Sequence, residues 1–347
     1  MVTTVADIRD RGGPAQPLLT VDGLIKHFPI KKGLGGKKAV VRAVDGVDFE
    51  ILKGETLGIV GESGCGKSTT AKLIMGLIEH DSGNLLFDGE TIGSRALPMR
   101  QFRAQTQMVF QDSYSSLNPR MTVEASIAFG PQVHGIPTRQ AIERARSLLA
   151  RVGLEPTRFA ARYPHELSGG QRQRVNIARA LALEPRLVVL DEAVSALDKS
   201  VEAQVLNLLL DLKQDFNLTY LFISHDLNVV RFICDRVAVM YLGQVVEIGP
   251  ADTVLASPSH PYTAALLSSM PSLDPDNRTQ VAPLAGDPPN PIDPPSGCRF
   301  HPRCTLAEPV CSAKVPPLDT VVDLHRVACL ARQPGSGHSA ANALVAA

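Results

Sequence analysis

The stretch GESGCGKS, residues 61–68, decides the fold class of this chain. It follows the apolar run TLGIV at 56–60 and precedes TTAKLIMGL at 69–77, which has helical character. A strand, a glycine-rich loop and a helix in this order are the context in which the pattern G-x-x-x-x-G-K-S binds phosphate. The loop presents backbone N–H groups, and the helix start adds positive dipole charge. The predicted ATP-binding residues of this segment are Gly61, Glu62, Ser63, Gly64, Cys65, Gly66, Lys67, Ser68 and Thr69.

Three side chains of this loop have specific predicted roles. Lys67 can reach the terminal phosphate oxygens as a flexible positive charge, and Ser68 can ligate a Mg²⁺ ion that bridges the last two phosphates. Cys65 lies near the predicted helix start, a position that lowers the pKa of a thiol. We therefore expect alkylation of Cys65 to interfere with ATP binding.

A second motif, LVVLDE at residues 187–192, places two carboxylates after a buried strand. Asp191 ends the strand beside the phosphate loop, so its carboxylate can hold the Mg²⁺ ion. Glu192 follows on the opposite side, where a carboxylate can orient and polarise the water that attacks the terminal phosphorus. The sequence therefore predicts hydrolysis as well as binding of ATP.

The segment LSGGQ at residues 167–171 predicts a second helix start that binds an anion. Ser168 is a favourable N-cap residue, and the segment that follows it favours helix. A chain with one phosphate loop does not need two such helix starts on one nucleotide. We therefore expect Ser168 and Gly170 to bind the ATP held by a facing subunit.

Composition restricts the class of protein. At 347 residues the chain is longer than one core usually supports, so we expect one large domain and a smaller appendage. Lys plus Arg equals Asp plus Glu, at 35 each, which supplies no electrostatic argument for nucleic-acid binding. No apolar run approaches the roughly 20 residues that span a bilayer, and the first residues do not resemble a secretory signal. We expect a cytoplasmic chain that reaches a membrane through a protein partner.

The order of the predicted elements indicates an α/β protein. Alternating residues at 18–21 and 44–50 predict an antiparallel sheet, and apolar residues at helical spacing between 101 and 165 predict a helical subdomain. Strands alternating with helices after residue 170 predict a parallel sheet. Ten prolines between Pro283 and Pro317 predict a separate, loop-built module without regular helix or central strand. The expected divisions are a disordered N-terminus at 1–17, a nucleotide-binding domain at 18–267, a C-terminal module at 268–332 and a disordered tail at 333–347.

The order of these motifs resembles the nucleotide-binding subunit of ABC transporters over about residues 18–267. The resemblance implies a P-loop NTPase cassette with a RecA-like parallel-sheet core, an antiparallel β subdomain and a helical subdomain. It also implies that Gln111 contacts magnesium and water and that His225 contacts the terminal phosphate. Phe28 lies where the family places an aromatic residue that stacks on adenine, although a core role stays open. The residues implied to act across a dimer interface are Ser168, Gly169, Gly170, Gln171 and Asp198.

A narrower resemblance comes from VFQDSYSSLNPR at 109–120, HPYTAALL at 260–267 and GCRFHPRC at 297–304. These segments are similar to the ATP-binding subunits of bacterial oligopeptide and dipeptide importers. The resemblance implies an ATPase at the cytoplasmic face of the inner membrane, paired with a second ATP-binding subunit, either a paralogue or a copy. It further implies two transmembrane permease subunits and, indirectly, an external solute-binding protein. Three alternatives stay open: a soluble ABC-type ATPase, a regulator that binds ATP without hydrolysing it, and an importer of another solute such as nickel.

Four cysteines near the C-terminus have the spacing C-x5-C-x6-C-x17-C. They lie in a proline-rich segment that is too short and polar to bury its own core, and such modules depend on a metal or a disulfide. Four thiolates can hold a [4Fe–4S] cluster or a zinc ion, and the absence of a tight C-x2-C pair makes zinc the second choice. Unligated thiols or oxidised pairs, and His301 or His325 as substitute ligands, stay open. The candidate ligands are Cys298, Cys304, Cys311 and Cys329.

Overall fold

The computed structural model describes residues 16–30, 39–269, 289–322 and 324–341 of the chain. The strands among these residues are β1 Pro17–Ile30, β2 Ala39–Leu52, β3 Thr56–Val60, β4 Ser82–Phe87, β5 Glu90–Thr91, β6 Thr106–Val109, β7 Leu187–Asp191, β8 Thr219–Ile223, β9 Arg236–Tyr241, β10 Gln244–Pro250, β11 Asp319–Val322 and β12 His325–Val327. The α-helices there are α1 Lys67–Ile74, α2 Met99–Gln105, α3 Val123–Val133, α4 Thr138–Arg151, α5 Pro156–Phe159, α6 Gly169–Leu181, α7 Lys199–Phe216, α8 Leu227–Ile233, α9 Ala251–Ala256, α10 Pro261–Ser268 and α11 Pro309–Ala313.

The first sheet has four strands in the order β2-β1-β4-β5. β1 pairs antiparallel with β2, for example Thr20 with Glu50, which confirms the antiparallel sheet predicted from alternating residues. Val47, Phe49 and Ile51 of β2 are buried while Glu50 between them is exposed. This period of two is the reason that β2 packs one face on the core and leaves the other in solvent.

The second sheet has eight strands in the order β11-β12-β10-β9-β3-β8-β7-β6. β9, β3, β8, β7 and β6 pair in parallel, as the alternation of strands and helices predicts. β3, β7 and β8 are buried along their whole length, which explains their continuous apolar sequences. The phosphate loop leaves the carboxyl end of β3, and Asp191 ends β7. Both elements therefore lie at the same edge of the parallel sheet, where open α/β sheets bind ligands.

The segment predicted to be a helical subdomain differs from the observed one at its start. Residues 106–109 form β6, which pairs in parallel with β7 and belongs to the core sheet. The helical part comes after it and consists of α3, α4 and α5, with α3 and α4 packed on each other and on α6. A four-residue strand with Thr and Gln at its start has too little apolar pattern to stand out from the helical residues around it.

Two strands of the C-terminal region extend the sheet of the cassette, and the expected division at 268–332 stays a prediction. β12 pairs antiparallel with β10, and β11 pairs with β12, so both strands extend the eight-stranded sheet. The proline-rich segment also contains the short helix α11, whose first residue is Pro309. Proline is tolerated there because the first N–H groups of a helix have no partner within the helix. The expectation that prolines exclude regular structure throughout this segment is wrong for α11.

A buried carboxylate joins this region to the cassette. Glu247 of β10 is fully buried, and its carboxylate accepts the backbone N–H groups of Ser259 and His260 at 2.7 and 3.1 Å. The Nε2 atom of His325, in β12, lies 2.8 Å from the same carboxylate. A buried carboxylate is stable only when its oxygens have such partners, so these contacts specify how β10, β12 and the start of α10 meet.

The segment after residue 332, expected to be disordered, is ordered as far as Ala341. Gln333 donates a hydrogen bond to the carbonyl of Pro317, and Nε2 of His338 lies 2.8 Å from the carbonyl oxygen of Leu306. His338 and Ala341 are buried. The expected disorder at 342–347 and at 1–15 falls outside the described residues. None of the helices that the structure describes combines the length and the apolar character needed to cross a bilayer.

Candidate nucleotide-binding site

The phosphate loop lies in close contact with the backbones of β9 and β2. A Cβ atom on Gly61 would lie 2.2 Å from the carbonyl oxygen of Met240 in β9, and one on Gly66 would lie 2.3 Å from that of Ala43 in β2. Both glycines also have positive φ angles, +148° and +111°. Any other residue would have to displace a neighbouring strand, so glycine is required at both positions.

The charged and hydroxyl side chains of the loop are held in place. Lys67 starts α1 and is buried, and its Nζ donates to the carbonyl oxygens of Gly61 and Glu62 at 2.8 and 3.0 Å. Ser68 donates its hydroxyl to Oδ1 of Asp191 at 2.9 Å, although 123 residues separate them in the chain. Two of the predicted magnesium ligands are therefore in direct contact.

Burial raises the pKa of Asp191, and the nearby charge of Glu192 raises it further, whereas the Ser68 hydrogen bond acts in the opposite direction. A divalent cation beside this carboxylate would favour its charged form. Ser68 and Asp191 are thus oxygen ligands of the type that magnesium prefers, at the mouth of a loop suited to phosphate. The residues present fit a bound Mg²⁺ ion.

Two predicted catalytic side chains converge on the carboxylate of a third, Glu192. Nε2 of Gln111 donates to Oε2 of Glu192 at 2.8 Å, and Nδ1 of His225 lies 3.5 Å from the same oxygen. Gln111, Glu192 and His225 follow β6, β7 and β8, three adjacent strands whose carboxyl ends meet at this edge. Glu192 has a φ angle of +48°, and its N–H donates to the carbonyl of Ile223 in β8. A left-handed backbone at a non-glycine residue costs about 1–2 kcal/mol, and such strain concentrates at functional sites.

One cavity of about 540 Å³ connects these groups. Its lining includes Gln111, Glu192, His225 and all residues from Ser63 to Thr69 except Cys65. This volume is in the range of sites for small ligands. Val41 and Ala43 of β2 form another wall.

Phe28 is not among the residues that line this cavity. It pairs with Val41, a lining residue, across β1 and β2, and directly paired residues lie on the same face of a sheet. Its ring is partly exposed, and Nζ of Lys26 lies 5.6 Å from the ring centroid. Stacking of Phe28 on adenine stays a prediction.

The LSGGQ segment forms the predicted helix start. Ser168 is the N-cap of α6, and its hydroxyl accepts the N–H of Gln171 while the Gln171 side chain accepts the N–H of Ser168. A Cβ atom on Gly170 would lie 2.5 Å from Cγ1 of Val201 in α7, so this glycine also permits close helix packing. Ser168 and Asp198 are exposed, and neither they nor Gly169, Gly170 and Gln171 line the phosphate-loop cavity. Their role toward a facing subunit stays a prediction.

Glu62 has two partners that sequence reasoning did not identify. Its carboxylate accepts two hydrogen bonds from the guanidinium of Arg303 at 3.0 and 3.2 Å, and its N–H donates to Oη of Tyr262 at 2.9 Å. Tyr262 and Arg303 are 200 and 241 residues away in the chain, and no local pattern connects them to the loop. Tyr262 belongs to the segment HPYTAALL and Arg303 to GCRFHPRC. The resemblance of these segments to importer subunits was the one indication in the sequence that they matter.

The four candidate cysteine ligands line one cavity of about 20 Å³. Burial raises the pKa of the Cys298 and Cys329 thiols to about 11 and also raises that of Cys304. The chemistry of four thiols around one cavity fits a thiolate-bound metal group. Their positions do not yet fit one, because no set of three or more His, Cys, Asp or Glu side chains in the described parts of the chain is arranged to hold a metal ion.

The two histidines considered as substitute ligands have other contacts. Nδ1 of His301 lies 2.9 Å from the carbonyl oxygen of Cys298, and His325 contacts Glu247. His325 is buried. His301 lines the cysteine cavity, as do His260 and His338, whereas His325 does not.

The parallel sheet, the phosphate loop and the Asp191–Glu192 pair define a P-loop NTPase with an ABC-type cassette. Comparison with known proteins agrees. Residues 44–195 match the ABC transporter family, and residues 246–311 match the oligopeptide/dipeptide transporter C-terminal region. The solved "dimeric structure of a post-hydrolysis state of the ATP-binding cassette MJ0796 bound to ADP and Pi" superimposes with a TM-score of 0.58 at 27% identity, covering 67% of this chain and 98% of that one.

Curated relatives are similar to this chain over most of their length. The chain is 52% identical over 322 residues to the probable peptide ABC transporter ATP-binding protein y4tS of Sinorhizobium fredii, covering 92% of this chain and 91% of that protein. It is 49% identical over 321 residues to the oligopeptide transport ATP-binding protein AppF of Bacillus subtilis, covering 90% and 97%. The chain belongs to the ABC transporter ATP-binding proteins that carry the oligopeptide/dipeptide transporter C-terminal region, a class of ATPases.

Cys65 differs from its sequence-based expectation. Its side chain is buried, and burial raises the pKa of the thiol, whereas the nearby Lys67 lowers it by a smaller amount. Loss of solvation outweighs the positive helix start, so the expected lowering of the pKa is wrong. A raised pKa means a smaller thiolate fraction at neutral pH than a free cysteine has.

We predict that iodoacetamide modifies Cys65 of the native chain at pH 7.5 at least about tenfold more slowly than in the urea-unfolded chain, because the thiolate is the reactive form. Peptide mapping by mass spectrometry measures both rates. Raising the pH should accelerate the native reaction only above the range where a free cysteine titrates. Native labelling at the unfolded rate at pH 7.5 would contradict the assigned burial.

Proposed function

We propose that this chain binds MgATP in the cavity described above and hydrolyses it to power an ABC importer of dipeptides or oligopeptides. One observation carries the hydrolytic part: the Glu192 carboxylate, with Gln111 and His225 beside it, faces the same cavity as the phosphate loop. A regulator that only bound ATP would not need this arrangement. The peptide cargo rests on the two relatives, whose names state peptide and oligopeptide transport.

The chain's own residues divide the work of hydrolysis. The loop N–H groups and Lys67 bind the phosphates, and Ser68 and Asp191 hold magnesium, with Gln111 as a further ligand. Magnesium, when bound, supplies positive charge that offsets the charge of the terminal phosphates. Glu192 orients the attacking water and accepts its proton, and His225 contacts the terminal phosphate. Gln111 joins the carboxylate to the segment after β6, so movement of that segment changes the position of Glu192.

A second ATP-binding subunit completes the site in this proposal. Ser168 and Gly170 at the start of α6 would face the triphosphate of that subunit, with Asp198 at the interface. Three observations support it: Ser168 and Asp198 are exposed, the helix start does not line the cavity of its own chain, and the similar MJ0796 cassette is described as dimeric. The facing subunit is a paralogue or a copy, and two permease subunits hold the pair at the cytoplasmic face of the membrane.

We predict that Glu192→Gln stops turnover while ATP stays bound, because the amide cannot accept a proton from water. ATP hydrolysis should fall about 10²- to 10⁴-fold, the usual contribution of a general base. Phosphate release measures turnover, and calorimetry measures ATP affinity. Asp211→Asn, on the exposed side of α7, is the matched control and should hydrolyse ATP like the wild type. Unchanged hydrolysis in Glu192→Gln would remove Glu192 from this role.

We predict that Ser168→Arg affects assembly and leaves the chain's own ATP binding intact. In complexes copurified with the partner subunits, turnover should fall roughly tenfold or more, because a bulky side chain replaces a donor to the facing triphosphate. Affinity of the isolated chain for ATP should change by less than about twofold, since the cavity of its own chain is untouched. Ser147→Arg on the exposed side of α4 is the control. An equal loss of ATP binding by the isolated chain would place Ser168 in its own site.

We also propose that the four C-terminal cysteines hold a thiolate-ligated metal group, an iron–sulfur cluster as first choice and zinc as second. The support is the chemistry of the four thiols, which line one cavity and are of the ligand type that binds iron–sulfur clusters and zinc. The side chains have to rearrange on loading, and all four thiols have to release protons, three of them from a raised pKa.

For the cysteine site we expect chain purified without oxygen to show broad visible absorption and to contain iron and sulfide in similar amounts. Cys304→Ser should lose both signals because a thiolate ligand is missing. Cys234→Ser, a buried cysteine outside this cavity, should keep them. Zinc without iron in metal analysis would replace the first choice, and absence of both metals would overturn the proposal.

A further inference from the structure

Glu62, the second residue of the phosphate loop, is held on three sides. Its carbonyl oxygen accepts Nζ of Lys67 at 3.0 Å, and its N–H donates to Oη of Tyr262 at 2.9 Å. Its carboxylate pairs with the guanidinium of Arg303. Tyr262 and Arg303 both belong to the region that matches the oligopeptide/dipeptide transporter C-terminal family. The C-terminal region therefore contacts the loop that holds the phosphates.

The pairing of Arg303 with Glu62 is well defined. Two nitrogens of the guanidinium donate to the two carboxylate oxygens at 3.0 and 3.2 Å, which is the bidentate geometry that makes such pairs strong. The Arg303 side chain is only 6% exposed and that of Glu62 is 21% exposed. Arg303 also lies 3.4 Å from Oη of Tyr241, at the end of β9. A pair of this geometry and burial is not a screened surface contact.

The place of Arg303 in the chain adds to the case. It ends the short 3₁₀ turn His301–Arg303, between Cys298 and Cys304. Phe300, which opens this turn, packs edge-on against the rings of Tyr241 and Tyr262. The turn that carries Arg303 is thus anchored by Phe300 on the same tyrosine that its guanidinium contacts.

The carboxylate of Glu62 adds a negative charge to the loop that binds the phosphates. ATP brings several negative charges to this loop, and an unpaired carboxylate there would repel them. It would also be free to turn toward Lys67, which the phosphates need. The bidentate guanidinium offsets the charge of Glu62 and directs its carboxylate away from that lysine.

We propose that Arg303 is a positioning residue for ATP binding, which acts by neutralising and orienting Glu62. This inference rests on the proposed function, because it takes the loop at 61–68 as the ATP site. The competing interpretation is that the pair only fastens the C-terminal region to the cassette. The two differ in what they predict for the double variant with Glu62.

The test is a double-mutant cycle in the full-length chain, with MgATP as the probe. Arg303→Ala should weaken ATP affinity and raise KM for ATP by about tenfold, as expected for the loss of a buried charge partner. The kcat should stay within about twofold, because Gln111, Glu192 and His225 are untouched. In the Glu62→Gln background the same Arg303→Ala change should weaken affinity by less than about threefold, since no repelling carboxylate is left. Arg303→Lys keeps the charge but not the bidentate guanidinium, so its ATP affinity should lie between those of Arg303→Ala and the wild type.

Arg332→Ala is the matched control, because Arg332 follows β12 in the C-terminal part of the chain and donates to the Ser259 carbonyl rather than to the loop. It should leave KM unchanged. Thermal unfolding of every variant separates loss of folding from loss of affinity. If Arg303→Ala folds poorly, the affinity of Arg303→Lys is the test. A folded Arg303→Ala with wild-type affinity would overturn the inference, as would an equal loss with and without the Glu62 carboxylate. A wild-type chain that binds no ATP would instead refute the proposed function.

Discussion

The carbonyl oxygens of Met240 and Ala43 lie so close to the phosphate loop that Gly61 and Gly66 cannot carry side chains. This contact sets the path of the loop between β9 and β2, and therefore the direction in which its N–H groups point. The same loop is tied to the neighbouring turn, where the N–H of Gly243 donates to the carbonyl of Cys65 at 2.8 Å. The position of every other group at the site is defined relative to this rigid backbone.

The parallel order of the central strands brings the remaining groups to the loop. Three strands each contribute at or just after their carboxyl ends. Gln111 follows β6, Asp191 and Glu192 end and follow β7, and His225 follows β8. Residues that are far apart in the chain thus meet at one edge of the sheet. The backbone of Glu192 is left-handed and therefore strained. The hydrogen bond from the N–H of Glu192 to the carbonyl of Ile223 stabilises this conformation.

Local patterns predicted the parts of the structure that local physics determines. The phosphate loop, the buried strands β7 and β8, the N-cap at Ser168 and the antiparallel pairing of β1 with β2 all follow from spacing and side-chain type. Contacts between distant segments left no such pattern. The Arg303–Glu62 pair, the burial of His325 against Glu247 and the addition of β11 and β12 to the sheet depend on how the C-terminal region folds back.

Cys65 shows a second limit of prediction from sequence. Two opposing effects act on the pKa of its thiol, and only the three-dimensional packing decides which is larger. The helix start was visible in the sequence, but the depth of burial was not. Four cysteines of unusual spacing likewise indicated a shared location, which the structure contains, without indicating how close their sulfur atoms would lie.

The pairing of β10 with β12 has a consequence for how this protein can be divided. A chain shortened to the cassette alone would leave one side of β10 without its hydrogen-bonding neighbour and would uncover the Glu247 carboxylate. Bare strand edges recruit other strands, so such a fragment would be inclined to aggregate rather than to behave as an independent domain. The β10–β12 pairing thus ties the C-terminal region to the cassette sheet.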